Sequence, residues 1–319
     1  MTTAINKLLL ATDFSEWARG AEEYACTLAA SWRAHLTIMS VLEFPPGMNP
    51  DYPVNRNYLT ERTAHATELF EEFKRRASQK GIIATTLMAT GMPSEEVTAA
   101  ARSEGADLIV VGTKGKSGLA HVLLGSTAER VIRTAPCPVL AVHMPSKEQA
   151  TTEVAVGPIR RLLVPIDFSD CSLDALEYAA IVAKQAQATI ELVHVLEPVS
   201  YGLDFTLIHP GEGERTRKRL IARLEELASA LSGAGIPVKV HVRGGSPADS
   251  ILDDAHTLSC DMIVMGTHGR RGLSHVMAGS VAEAVLRQAS CPILTVRSPK
   301  FGPGHHRMVS TSKEQTVNP

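Results

Sequence analysis

At about 150 residues per domain, a chain of 319 residues predicts two domains, and 44% hydrophobic with 21% charged residues is the balance of an ordinary globular protein. Its 32 basic and 34 acidic residues leave a net charge of −2, which excludes a general nucleic-acid binder, since such a protein needs a basic face. No apolar run reaches the roughly 18–20 residues that span a bilayer, and residues 1–7 lack the charged-then-apolar order of a signal peptide, so no membrane partner and a cytoplasmic location are expected.

In chain order, the apolar run 8–11 ends at Thr12 and Asp13 and reads as a buried strand. Asp13 and Ser15 offer N-cap oxygens to a helix over 16–32, where Ala18, Ala21, Ala25, Leu28 and Ala29 fall at helical spacing. Residues 35–42 alternate as a second strand. A polar loop then leads to a helix from about 58 to 79, which Gly81 stops. Residues 82–90 read as a third strand, and Pro93 opens a third helix at its first turn. The continuous apolar run 107–112 suits a strand covered on both faces. A fourth helix over 125–133 and a fifth strand over 138–142 follow. This alternation predicts a doubly wound, five-stranded parallel sheet with right-handed crossovers. Ligands bind such sheets beyond the carboxyl ends of the strands where the winding reverses, which here means after Asp13, Val41 and Val111.

The whole pattern occurs twice. Residues 7–15 (KLLLATDFS) return as 161–169 (RLLVPIDFS), an offset of 154 that also carries Gly91 to Gly245, Pro93 to Pro247, Asp107 to Asp261, Gly112 to Gly266 and Cys137 to Cys291. Residues 107–142 and 261–296 share 21 identities in 36 positions without a gap. The predicted organisation is a first domain over 1–144, a polar linker over 145–158, a second domain over 159–298 and a disordered tail over 299–319. The adjacent His305 and His306 in that tail make a poor metal site on their own. A helix at about 212–231 places Leu220, Leu224, Leu227 and Leu231 on one face, read as core, with a partner groove as the other option.

The feature with the most chemistry follows the fourth strand. Gly112-Thr113-Lys114-Gly115, nine residues, then Gly125-Ser126, recurs as Gly266-Thr267-His268-Gly269, nine residues, then Gly279-Ser280. Glycine lets a ligand approach the backbone closely. A helix starting at Gly125-Ser126 presents amides and a positive dipole end to phosphate, and the Ser126 hydroxyl can cap that helix or donate to a phosphate oxygen. The alternative is a tight turn with an ordinary cap. A Walker A loop is excluded because Val110 stands where its first glycine belongs, and no G-x-G-x-x-G follows the first strand of either repeat. Asp13 and Asp167, ending the first strands, can accept hydrogen bonds from a ribose or base, hold a metal that bridges phosphates, or simply cap a helix.

These two motifs, the strand-one aspartate and the long glycine pattern, resemble the universal stress protein family in its tandem two-domain, ATP-binding form, over nearly all of 5–143 and 159–297. The resemblance implies a Rossmann-like, adenine nucleotide alpha-hydrolase-like fold in each domain, with the two domains paired through their fifth strands, 139–142 and 293–296. It implies ATP, or ADP or AMP, bound with Mg2+ in both domains. Ala11, Thr12, Asp13 and Pro165, Ile166, Asp167 would then lie against the nucleoside, and the backbone at Val41 and Val195 would meet adenine. Gly112, Thr113, Gly115, Gly125, Ser126 and Thr127, with Gly266, Thr267, Gly269, Gly279, Ser280 and Val281, would surround phosphates and ribose. The copies differ at Ala11-Thr12 against Pro165-Ile166, at Ser40 against His194 and at Lys114 against His268, so equal affinity is not expected.

No catalytic set stands out. The five cysteines form no C-x-x-C pair and read as reduced, buried thiols, Cys137 and Cys291 included. His121 and His275 share a position in the nine-residue loop and read as surface or packing residues, with contact to phosphate as the other option, while Arg270 and Arg271 either help hold phosphate or are solvated loop charges. The expected function is a nucleotide-dependent stress-response or signalling module with an unnamed protein partner and a possible homodimer. A slow ATPase or nucleotidyl transferase, and a ligand-free partner-binding module, are the alternatives.

Overall fold

The structure is a computed structural model that describes residues 4–43, 52–113, 124–143, 157–197, 212–269 and 279–298. Its described residues fall into two compact units, one ending at Gly157 and taking in Pro292–Thr295, the other running over Pro158–Cys291 and on from Val296.

In the first unit, strands β1 (Lys7–Ala11), β2 (His35–Leu42), β3 (Ala84–Thr90), β4 (Leu108–Gly112) and β5 (Val139–Val142) alternate with helices α1 (Arg19–Trp32), α2 (Pro53–Gln79), α3 (Pro93–Ser103) and α4 (Ser126–Thr134). The sheet order is β3-β2-β1-β4-β5, parallel throughout. The chain winds outward through β2 and β3 and then crosses back beyond β1 to β4, so the winding reverses between β1 and β4. On the outer side of β5 lies β10 (Ile293–Val296), antiparallel, with Ile293 opposite Ala141 and Thr295 opposite Val139. The Thr295 hydroxyl donates to the Val139 carbonyl at 3.0 Å. The two fifth strands therefore pair as expected, and the open edge of β5 is covered.

The second unit repeats the pattern with β6 (Arg161–Pro165), α5 (Asp170–Ala186), β7 (Thr189–Leu196), α6 (Glu212–Gly233), β8 (Val238–Gly244), α7 (Pro247–Thr257), β9 (Met262–Gly266) and α8 (Ser280–Gln288). Its strands run β9-β6-β7-β8, again parallel. Leu8, Leu9 and Leu10 of β1 and Leu162, Leu163 and Val164 of β6 are at most 1% exposed, as strands covered on both faces must be. In α6, Leu224, Leu227 and Leu231 are buried as core and Leu220 is half-buried.

The repeated Asp107 and Asp261 have a structural task. Asp107 Oδ2 accepts the Asn6 and Lys7 amides at 2.9 and 3.0 Å, and Asp261 Oδ2 accepts the Arg160 and Arg161 amides at 2.7 and 2.8 Å. Each carboxylate thus anchors the amino end of a central strand, away from the crevice. Helix α2 begins at Pro53, five residues before its apolar period starts at Tyr58, because proline presets the helical φ at the first turn. A 3-10 turn over Glu16–Ala18 precedes α1. Linker residues 145–156, the tail 299–319 and residues 114–123 and 270–278 of the glycine loops lie outside the described residues.

Candidate functional site

In a doubly wound sheet ligands bind beyond the carboxyl ends of the strands where the winding reverses, which here means the ends of β1, β2 and β4 and of β6, β7 and β9. The start of this region is built the same way twice. Directly after the first strand the backbone turns left-handed at Phe14 (φ 56°) and Phe168 (φ 64°). A non-glycine residue there is strained unless its surroundings hold it. Asp13 Oδ1 accepts the Ser15 amide at 3.0 Å, and Asp167 Oδ1 accepts the Ser169 amide at 2.9 Å. Each aspartate thus clamps its own turn.

The caps differ from expectation. Ser15 stands at the N-cap of the 3-10 turn without a side-chain cap bond. Ser169 caps α5 by accepting the Ser172 amide at 3.2 Å, and its hydroxyl donates to Asp167 Oδ1 at 2.6 Å.

The glycine motif starts at the carboxyl end of the fourth strand, at Gly112 and Gly266. In the second unit the structure brings it to the aspartate: a Cβ built on Gly269 would lie 2.8 Å from Asp167 Oδ2. In the first unit the matching Gly115 lies outside the described residues, as do Lys114, His121, His275, Arg270 and Arg271. The two ends of each loop are stapled. Gly125 donates its amide to the Thr113 carbonyl at 2.7 Å, and Gly279 donates to the Thr267 carbonyl at 2.8 Å, with both threonines buried.

This bears on two readings of the motif. The amides of Gly125 and Gly279 are engaged in the loop closure and not open to phosphate. Ser126 and Ser280 do not cap, because the N-caps are Gly125 and Gly279 and the serines are exposed first helical residues. The first helical bonds run from Glu129 to the Gly125 carbonyl and from Glu283 to the Gly279 carbonyl, both at 2.9 Å. The amides ahead of them, those of Ser126, Thr127 and Ala128 and of Ser280, Val281 and Ala282, are the group a helix start offers to an anion.

Gly266 is explained by packing. A Cβ there would sit 2.8 Å from Cys171 Sγ and 2.9 Å from the Cys171 backbone. The glycine therefore admits the first turn of α5 against the end of β9.

Val41 and Val195 sit half-buried near the ends of β2 and β7. The Thr12 amide donates to Met39 O at 2.9 Å and the Ile166 amide to Val193 O at 2.8 Å. Backbone groups of alternate residues face the same neighbour. Those of Val41 and Val195 therefore turn toward β1 and β6, one step beyond the last paired residues, Ala11 with Met39 and Pro165 with Val193.

Several residues escaped sequence reasoning. In the second unit His194, which is buried, donates Nδ1–H to the Ile166 carbonyl at 2.5 Å and packs against the Phe168 ring at 5.3 Å. The Arg223 guanidinium covers that same ring at 3.9 Å. In the first unit Phe14 meets Phe70 edge-on at 5.2 Å, and Thr12 bonds Glu22. The sequence signals for these were the differences of Ser40 from His194 and of Thr12 from Ile166; the contacts themselves join separate elements. Cys26, Cys137, Cys171 and Cys260 are buried and no cysteine is in a disulfide, Cys291 being half-buried. Burial pushes the thiols of Cys26 and Cys291 up to about 11 and that of Cys260 to about 12, away from nucleophilic use. No helix among the described residues is long and apolar enough to cross a membrane.

Two parallel doubly wound units, each with a clamped aspartate after its first strand and a stapled glycine loop after its fourth, define a tandem Rossmann-like protein. The universal stress protein family model matches residues 4–143 and again 158–297. The chain belongs to that family, with the domain present twice. A universal stress protein of Methanocaldococcus jannaschii is 35% identical over 148 residues, covering 44% of this chain and 84% of that protein. One from Mycobacterium bovis is 29% identical over 202 residues, which span 61% of this chain and 63% of the mycobacterial protein. The crystal structure of a universal stress protein from Archaeoglobus fulgidus superposes with a TM-score of 0.66 at 25% identity, covering 92% of this chain and 97% of that one.

Proposed function

We propose that the protein binds an adenine nucleotide, ATP or its ADP and AMP products, in each of its two crevices, and that occupancy sets its behaviour as a stress-response module toward a protein partner. The observation that carries this is the approach of Asp167 Oδ2 to Gly269, which sets a carboxylate for sugar or base hydroxyls and amines at the described start of the glycine loop. The amides of residues 126–128 and 280–282 receive the phosphates, and the inward-facing backbone of Val41 and Val195 reads the base. A magnesium ion travelling with the phosphates finds Asp13 or Asp167 as a single protein carboxylate, which suits an ion held mainly by phosphate and water.

The test is ATP titration of nucleotide-stripped protein with Gly269→Ala. The added Cβ drives Asp167 aside, so affinity at the second crevice falls about tenfold or more while that of the first holds. Equal affinity of wild type and Gly269→Ala at the second crevice would remove the proposed site.

A further inference from the structure

Behind the first crevice lies a buried pair whose counterpart the second lacks. Thr12, 7% exposed, donates its hydroxyl to Glu22 Oε1 at 2.8 Å, and its oxygen accepts the Phe14 amide at 2.9 Å. Glu22, 4% exposed and carried by α1, is balanced by Arg76 of α2, whose Nη2 stands 3.6 Å from Oε2.

A hydroxyl has one hydrogen. With that hydrogen aimed at Glu22, the lone pairs of Thr12 face Phe14 N–H; without the acceptor the hydroxyl can swing its hydrogen toward the amide and oppose it. The left-handed turn at Phe14 therefore depends on a carboxylate ten residues further on.

We propose that Glu22 is a positioning residue of the first crevice, acting through Thr12 to hold the Phe14 turn and with it the aim of Asp13. The effect on ligand affinity rests on the nucleotide reading above; the effect on the turn does not.

The second unit supports this by contrast. At the same repeat positions it has Ile166 for Thr12 and Leu176 for Glu22, both buried and apolar. Its turn is held by other means: the Ser169 hydroxyl on Asp167, His194 on the Ile166 carbonyl, and Arg223 over the Phe168 ring. The first unit does not use the serine device, for buried Ser15 Oγ has no hydrogen-bond partner among the described residues. One crevice is thus tied to a charged contact between two helices, and the other to local hydroxyl and ring contacts.

Hydrogen exchange on the intact chain tests this, because each crevice serves as the other's control. In ligand-free protein, Glu22→Leu speeds exchange of the Phe14 amide about tenfold and leaves Phe168 unchanged. Glu22→Gln, which keeps an acceptor for Thr12, stays near wild type. The double change Thr12→Ile with Glu22→Leu, which installs the second unit's apolar pair, does not recover the Phe14 amide bond. With ATP, exchange-derived Kd at the first crevice rises about tenfold in Glu22→Leu and is retained in Glu22→Gln, with the second crevice constant. If Glu22→Leu unfolds the first unit, Thr12→Val, which removes only the hydroxyl, must give the same loss of Phe14 protection in a folded chain. Unchanged Phe14 exchange in Glu22→Leu or Thr12→Val overturns the inference. Loss of that protection in a protein that binds no ATP even as wild type upholds the turn's dependence on Glu22 and overturns the nucleotide reading instead.

Discussion

Glu22 shows how a single buried charge is both tolerated and exposed to pH. Burial lifts its carboxyl above the ordinary 4.5, while the Thr12 hydroxyl and Arg76 pull it down; burial wins. The folded state therefore holds this proton more tightly than the unfolded chain does. The stability tied to it is complete below about 4.5 and declines as pH rises through the lifted value. Glu22→Gln removes that dependence, so its stability relative to wild type should improve between pH 4.5 and 7 in urea unfolding; a constant difference across that window would show the carboxyl ionises as in water.

Ser259 gives a second prediction at this scale. It stands left-handed at φ 50°, where the first repeat has Gly105 at φ 62°. Ser259→Gly should stabilise the second unit by about 1 kcal/mol in the same assay, and no gain would mean the serine is held there without strain.

At the level of elements, the packing of α5 onto β9 depends on a missing side chain. Gly266→Ala forces a methyl into Cys171 backbone as well as its sulfur, and overpacking of this kind costs about 1–3 kcal/mol. The denaturant midpoint of the second unit should fall accordingly, and an unchanged midpoint would show that the first turn of α5 yields freely.

The elements themselves were legible because their signals are local. Continuous apolar runs marked β1 and β4, Pro93 opened α3, and the offset of 154 made one unit a check on the other. The start of α2 was not legible, since residues 53–57 carry no apolar period and only the proline marks the turn. The roles of the loop glycines were half legible. Their clustering pointed to the crevice, but no sequence pattern says that Gly125 closes its loop on Thr113, that Gly266 makes room for Cys171, or that Ser126 fails to cap. Those are distances between segments brought together only by folding. The Phe168–Arg223 stack and the Thr12–Glu22 bond were hidden for the same reason.

Across the whole molecule, duplication has kept the frame and changed the fittings. Both units retain the strand anchor at Asp107 and Asp261, the left-handed turn at Phe14 and Phe168, and the loop staple at Gly125 and Gly279. Around the turn they diverge: acid and threonine in one, histidine, arginine and a serine hydroxyl in the other. Two crevices of common architecture but distinct support should bind the same class of ligand with different affinity. Counting bound nucleotide tests this most directly. Equilibrium dialysis of stripped protein against labelled ATP with magnesium should give two ATP per chain in two steps of unequal affinity. The Asp13→Ala and Asp167→Ala variants should each remove a different step. No binding at millimolar ATP, or two steps that survive both substitutions, would contradict the account.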